Sequence, residues 1–210
     1  MTQYGLSLAT APTSEPVTLA EAKKHCEIAA EVNHHDEHLE RLIQAARVYV
    51  ENFTGRQICT ATWDLYADSW PDDGLTITLP KGPIQSVSSI TYVDENGATQ
   101  TWSSANYVLS ASREPAIIRL AYQATWPAFR FQPDAIRVRY VAGYGAATAV
   151  PQGVKHAILL LVGTFFEARE AESSAMMIPR MRLVAENLLL QYRYGDEWTE
   201  YGADAYGVSE

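Results

Sequence analysis

Positive charge is in short supply in this sequence. It carries 16 Lys and Arg against 25 Asp and Glu, a formal net charge of −9. Proteins that grip nucleic acid by its phosphates need a local excess of basic residues and gain from counterion release, and here the basic residues are few and scattered. Cysteine is almost missing: Cys26 and Cys59 are the only two in 210 residues. That excludes a disulfide framework and leaves two small hydrophobes. Long apolar runs are absent as well. The strongest, Ala157 to Phe166, falls far short of the roughly 20 residues a membrane span requires. The opening stretch MTQYGLSLATAPTSEP has no Lys or Arg and no apolar block, so no secretory or transit signal is legible and a soluble protein made in a cytoplasm is expected.

Catalytic signatures are equally sparse. The run VAGYGAATAVPQGVKHAILLL, Val141 to Leu161, has a strand-like start, glycines and a following helix. It nevertheless lacks the third glycine of a dinucleotide fingerprint and the Gly-Lys-Ser/Thr of a P-loop. It reads as an exit from a β unit with Pro151 in the first turn of a helix. No Gly-x-Ser-x-Gly elbow occurs, and no catalytic residue or cofactor is assigned. His34, His35 and His38 form the one cluster with metal-ligand chemistry. His34 and His38 have the four-residue spacing of ligands on one helix face, but Asp36 looks like a helix cap that leaves His34 outside, and HExxH is not matched. A metal-dependent or hydrolytic enzyme built on these histidines is the alternative to a non-enzymatic protein.

What the chain does contain is a change of hydrophobic period, twice. Residues 1–15, rich in Ser, Thr, Ala and Pro, read as a flexible arm. Thr18 and Glu21 have capping-box spacing, which predicts a helix to about Ala30. Asp36 is expected to cap a second helix whose apolar positions Leu39, Leu42, Ile43, Ala46, Tyr49, Val50 and Phe53 recur at three and four, with Gly55 as its stop. From Arg56 the period turns to two. Strands are predicted from about Cys59 to Leu65, in GLTITLP, on both sides of Asn96-Gly97, and at Tyr107–Ser110, Ala116–Leu120 and Ala135–Ala142. The connector with Trp126, Phe129, Arg130 and Phe131 is expected to pack over this β unit.

Helical period returns after Pro151. Val154, Ala157, Ile158, Leu161, Val162, Phe165 and Phe166 make one face, but Leu159 and Leu160 render the helix apolar nearly all round, so it must be covered by its own chain or by a neighbour. Leu159, Leu160, Leu161, Phe165 and Phe166 are therefore the candidate subunit-packing residues. A last helix is expected from Pro179 to Tyr192, with Leu183, Val184, Asn187, Leu188 and Gln191 along one side. Residues 194–210 turn acidic and aperiodic, with Trp198, Tyr201 and Tyr206 as candidate partner-docking anchors. The fold class is thus α+β: a helical core from 16–56 and 150–193, an inserted antiparallel β subdomain at 57–149, and the arm and tail.

The order PVTLAEAKKH (16–25), LIQAARVYVENFTGRQICTATW (42–63), LPKGPIQSVSSITYVDENG (79–97), QPDAIRVRYVAGYG (132–145) and VPQGVKHAILLLVGTFFEARE (150–170) resembles the phage head-tail connector (adaptor) proteins of long-tailed phages and gene transfer agents. The resemblance runs over roughly residues 16–193 and implies a structural virion protein at the head-tail interface, assembled in the host cytoplasm. It implies a homo-oligomeric, dodecameric ring beneath the portal protein, in which the helical bundle builds the ring and the β insertion decorates it. It further implies a tail-completion or tail-terminator protein as the next partner, and DNA passing through the channel without specific binding; another virion component, such as a tail-completion protein of mixed α and β structure, is a further alternative. The acidic tail is longer than the resemblance leads one to expect.

Overall fold

The two changes of hydrophobic period mark the borders of two units in the computed structural model, which describes residues 4–71, 74–168 and 177–194. Of these residues, 13–59 and 144–194 form one unit, and 4–12 with 60–143 form the other.

The helical unit contains α1 (Leu19–His25), α2 (Asp36–Thr54), α3 (Gln152–Ala168) and α4 (Met177–Leu189), followed by a 3₁₀ turn at Leu190–Tyr192. Helix α1 opens with the capping box read from the sequence: Thr18 accepts from the Glu21 amide, and the Glu21 carboxylate accepts from Thr18. Those bonds, the backbone one foremost, hold the Glu21 carboxyl below its ordinary value. The helix ends at His25, earlier than Ala30, because Glu27 takes a left-handed φ of 56°. The Ile28 amide then donates to Lys23 O and the Glu27 amide to Lys24 O. This is a Schellman close with glutamate where glycine is usual. Asp36 is not the cap of α2 but its first residue; His35 holds the cap position without a side-chain bond. The Asp36 carboxylate instead meets the buried Lys23 ammonium at 2.6 Å. Lys23 also donates to Ala30 O and Asn33 Oδ1, which fixes the loop between α1 and α2. Gly55, at φ 70°, ends α2 as expected.

One apolar cluster serves all four helices. Ala22 of α1, Leu39, Ile43, Ala46 and Val50 of α2, Val154, Ala157, Ile158, Leu161 and Val162 of α3, and Ala185 and Leu189 of α4 are buried in it. Each fully buried Leu, Ile or Val stabilises by about 1.5–3 kcal/mol. Arg47 is one of the polar residues buried in this unit, with 5% of its side chain exposed between Glu15 at 2.7 Å and Glu51 at 2.9 Å. Glu51 in turn accepts from Gln57 Nε2 and the Ile58 amide, so the charge is paired and the carboxylates are hydrogen-bonded, as burial demands.

The β unit is antiparallel throughout. Its five-stranded sheet has the order β1-β2-β8-β4-β5 and its three-stranded sheet the order β3-β7-β6. The strands are β1 (Tyr4–Thr10), β2 (Ala61–Ala67), β3 (Thr76–Leu79), β4 (Ile84–Val93), β5 (Thr99–Trp102), β6 (Tyr107–Ser110), β7 (Ala116–Leu120) and β8 (Ile136–Ala142). The expected hairpin at Asn96-Gly97 joins β4 to β5, and Asp94 caps its turn by accepting from the Asn96 and Ala98 amides. Alternate residues of both sheets meet in a second core that includes Leu65, Ile77, Leu79, Ile90, Ile118, Val138 and Tyr140. On β2 and β8, Asp64 and Arg139 stand opposite and pair through two bonds of 2.7 and 2.6 Å. The pairing with Arg139 holds the Asp64 carboxyl below its ordinary range.

Three expectations change here. Residues 4–10 of the supposed flexible arm form β1, paired antiparallel with β2 from Tyr4↔Ala67 to Thr10↔Thr62. The cause is the open hydrogen-bonding edge of β2, which a strand of alternating Leu6 and Leu8 can satisfy. The first strand of the insertion starts at Ala61, so Cys59 lies in the helical core rather than on a sheet. Accordingly the β unit runs 60–143, inside the 57–149 read from the sequence, and takes in residues 4–12 of the arm, while 13–15 fall with the helical unit.

Candidate assembly surfaces

The glycine-rich run Gly143-Tyr144-Gly145 carries no phosphate cradle. The Gly143 amide donates to Pro83 O and the Tyr144 amide to Ile58 O, so these donors are spent on the chain itself. Pro151 stands just ahead of α3, not within its first turn, and its carbonyl accepts from Val154 and Lys155.

Helix α3 is covered mainly by its own chain. Leu161 is fully buried in the helical core. Leu159, Leu160, Phe165 and Phe166 are half-buried and pack against the same core. The all-round apolar character has a local cause: α1, α2 and α4 all contact α3. Where α1 crosses, Gly163 leaves space for the His25 ring, and a Cβ there would lie 3.4 Å from it.

Helix α4 has the opposite character. Its inward side is Ala185 and Leu189, while Leu183 and Val184 are 56% and 52% exposed, and Leu190 in the 3₁₀ turn that follows is 54% exposed. Asn187 and Gln191 share that outer side. The stripe read from the sequence, Leu183, Val184, Asn187, Leu188 and Gln191, divides: Leu188 is half-buried and packs on the helical core, while the other four face water. Tyr49 donates to Glu186, and Arg182 Nε meets the same carboxylate at 3.0 Å, which fixes the helix on α2. The unit closes at Tyr194, whose amide donates to Thr54 O and whose ring lies 4.6 Å from the Arg56 guanidinium.

The histidines gather as rings rather than as ligands. His35 meets Phe166 edge-on at 5.3 Å, His38 approaches the same ring at 6.1 Å, and His34 lies 3.9 Å from His35. Among the described residues, no group of three or more His, Cys, Asp or Glu is placed to hold a metal ion, and no helix is long and apolar enough to cross a membrane. Both thiols are free. Burial pushes the Cys59 thiol up to about 12, with Glu15 adding to the effect.

The connector between β7 and β8 divides the aromatics expected to pack. Trp126 stacks on Trp70 at 4.6 Å and lies 4.9 Å from Trp102, while Phe129 joins the same cluster. Phe131 does not pack: it is 83% exposed, and Tyr122 on the same connector is 92% exposed. Two aromatics in water on an ordered segment are a feature the sequence did not separate from packing. Trp198, Tyr201 and Tyr206, and the tail at 195–210, lie outside the described residues.

With this geometry in hand, the chain can be set beside known proteins. No curated protein matches it. A chain of the neck of an empty gene transfer agent particle, computed with C6 symmetry, is 24% identical, with a TM-score of 0.68 over 90% of this chain and 95% of that one. A chain of the virion of a native gene transfer agent particle gives 23% identity and a TM-score of 0.70, over 90% of this chain and 94% of that one. A chain of the native neck, computed with C12 symmetry, gives 24% and 0.67, with the same coverages of 90% and 94%. The fold is thus shared with these chains along almost its whole length, and residues 16–115 match the model of the phage gp6-like head-tail connector protein family.

Proposed function

We propose that this protein is a structural head-tail connector of a phage-like particle, without enzymatic activity. It assembles as a closed ring beneath the portal protein, extends the DNA channel and presents a surface to a tail-completion or tail-terminator protein. One coincidence carries the reading: the connector-family pattern covers 16–115, and the fold that contains it matches chains from particle necks over 90% of this chain. Ring closure fits the C6 and C12 symmetries of those necks, because a repeated heterologous contact closes into a cyclic assembly.

In this reading the helical unit, built from both ends of the sequence, forms the body of the ring, and Leu159, Leu160, Phe165 and Phe166 lie near its subunit contacts. The net charge of −9 suits a conduit along which DNA slides without adhering, since like charges repel. The tail with Trp198, Tyr201 and Tyr206 would dock on a virion partner.

The test is native mass spectrometry of the purified chain, alone and mixed with its portal, over a range of concentrations. A discrete ring or stoichiometric portal binding is the expected result. A chain that stays monomeric and ignores the portal would remove the proposal.

A further inference from the structure

The connector from Ala121 to Ala135 has no regular structure, yet it is pinned along its length. The Ala121 amide donates to Asn106 O, the Arg130 amide to Val93 O and the Asp134 amide to Asp68 Oδ1. Trp126 Nε1 donates to Gly74 O, and Trp70 Nε1 donates to Pro127 O. Gln123 and Asp134 take left-handed φ values of 62° and 54°, a conformation non-glycine residues seldom adopt and one that clusters at functional sites. Held in this way, the connector projects Tyr122 and Phe131, the two most exposed large hydrophobic side chains among the described residues. A fixed backbone with bare aromatic tips has already lost the entropy that binding would otherwise cost.

We propose that these tips form a contact between copies of this chain: Tyr122 and Phe131 of one subunit seat on the outer face of α4 and the turn after it in the next, on Leu183, Val184 and Leu190. The inference rests on the ring reading above. Two observations favour a second copy as the occupant. The chain carries both halves of an apolar contact on separate surfaces, which is the condition for a heterologous interface, one that closes into a ring where the rotation between copies permits. The areas also fit: two aromatics bury about 150–250 Å² each, roughly half of the ~800 Å² that one partner contributes to a specific interface. Nucleic acid is the weaker occupant, because Arg130 is the only basic residue of the connector and the chain carries a net charge of −9.

The experiment compares wild type with Tyr122→Ser/Phe131→Ser by sedimentation, with portal added where closure requires it. Both sites are exposed, so the melting temperature should hold. Association should weaken by at least about 30-fold, the loss expected when an aromatic hot spot is truncated. A second arm mixes Phe131→Cys with Val184→Cys under mild oxidation. A disulfide-linked dimer should appear in the mixture and in neither variant alone. Assembly of the double serine variant at wild-type concentrations, loss of DNA retention with assembly intact, or trapping of Phe131→Cys with itself would each overturn the inference while leaving the connector reading in place. A wild-type chain that never assembles would remove both together.

Discussion

The two units of this protein reach a closed core by different means. The helical unit joins segments from both ends of the sequence around an aliphatic cluster, and its order comes from periodic side chains on long elements. The β unit is largely a continuous stretch, and its strands are short. Its core is completed by Trp70, Trp102 and Trp126, and two of these three come from loops outside the strands. In the first unit the helices both bury and expose apolar surface; in the second, an irregular connector does the same with aromatics. Regular structure is therefore a poor guide to where this molecule leaves apolar surface exposed. Burial, residue by residue, is the better one.

Substitutions can break that comparison or sharpen it. The largest effect is expected from Leu161→Asp, which places an unpaired charge at a site with no exposure. The loss should be about 4 kcal/mol or more, enough to prevent folding of the helical unit. A soluble variant with wild-type circular dichroism would show that α3 is not the centre of that core. Trp102→Ala should cost about 3–4 kcal/mol, since Trp102 is 6% exposed and lies 5.4 Å from Tyr107 and 4.9 Å from Trp126. Near-ultraviolet dichroism would report the β unit and the 222 nm signal, at about that wavelength, the helices. Separate transitions would make the units independent; one shared transition would make them a single cooperative body.

Arg47→Met should cost about 2–3 kcal/mol by leaving the Glu15 and Glu51 carboxylates without their cation, a discount on fully buried pairs because Glu15 is 32% exposed. An unchanged denaturation midpoint would mean that water replaces the guanidinium. Thr18→Ala removes the cap of α1 and should lower stability by about 1 kcal/mol. The smallest effect concerns pH. Burial, and secondarily His156, holds His25 below its ordinary value, so protonation favours the unfolded chain. Its contribution is fully present above about pH 6.5 and is lost as pH falls through the lowered folded value. Denaturation midpoints should decline on acidification, and His25→Gln should flatten the slope; an identical slope in the variant would assign the effect elsewhere.

Much of the fold is legible in residue order. Thr18 with Glu21, Gly55 and Asn96-Gly97 name their own turns, because a cap or a left-handed backbone needs those side chains. The shifts of period at Arg56 and Pro151 separate the units for the same reason. What escapes is non-local. Nothing near Tyr4–Thr10 says that the edge of β2 is open, and nothing near Glu27 shows that a glutamate will close α1. The assembly surfaces divide likewise. Leu161 and Leu183 are equally apolar in sequence, and only the packing of neighbouring helices sends one inward and leaves the other in water. Phe129 and Phe131 stand two residues apart and have opposite fates, which follows from the anchoring of Arg130 to Val93 and not from composition.

The raised Cys59 thiol has a practical meaning for work on assembly. With its value near 12, only about one molecule in ten thousand presents a thiolate at pH 8, and the thiolate is the reactive form. Cys26 is shifted upward too, by burial and then by Glu167. Both thiols are therefore weaker nucleophiles than an ordinary exposed cysteine. A single cysteine introduced on its surface would be the more reactive handle, and the proposed assembly could be labelled, clocked or stapled at chosen points through it.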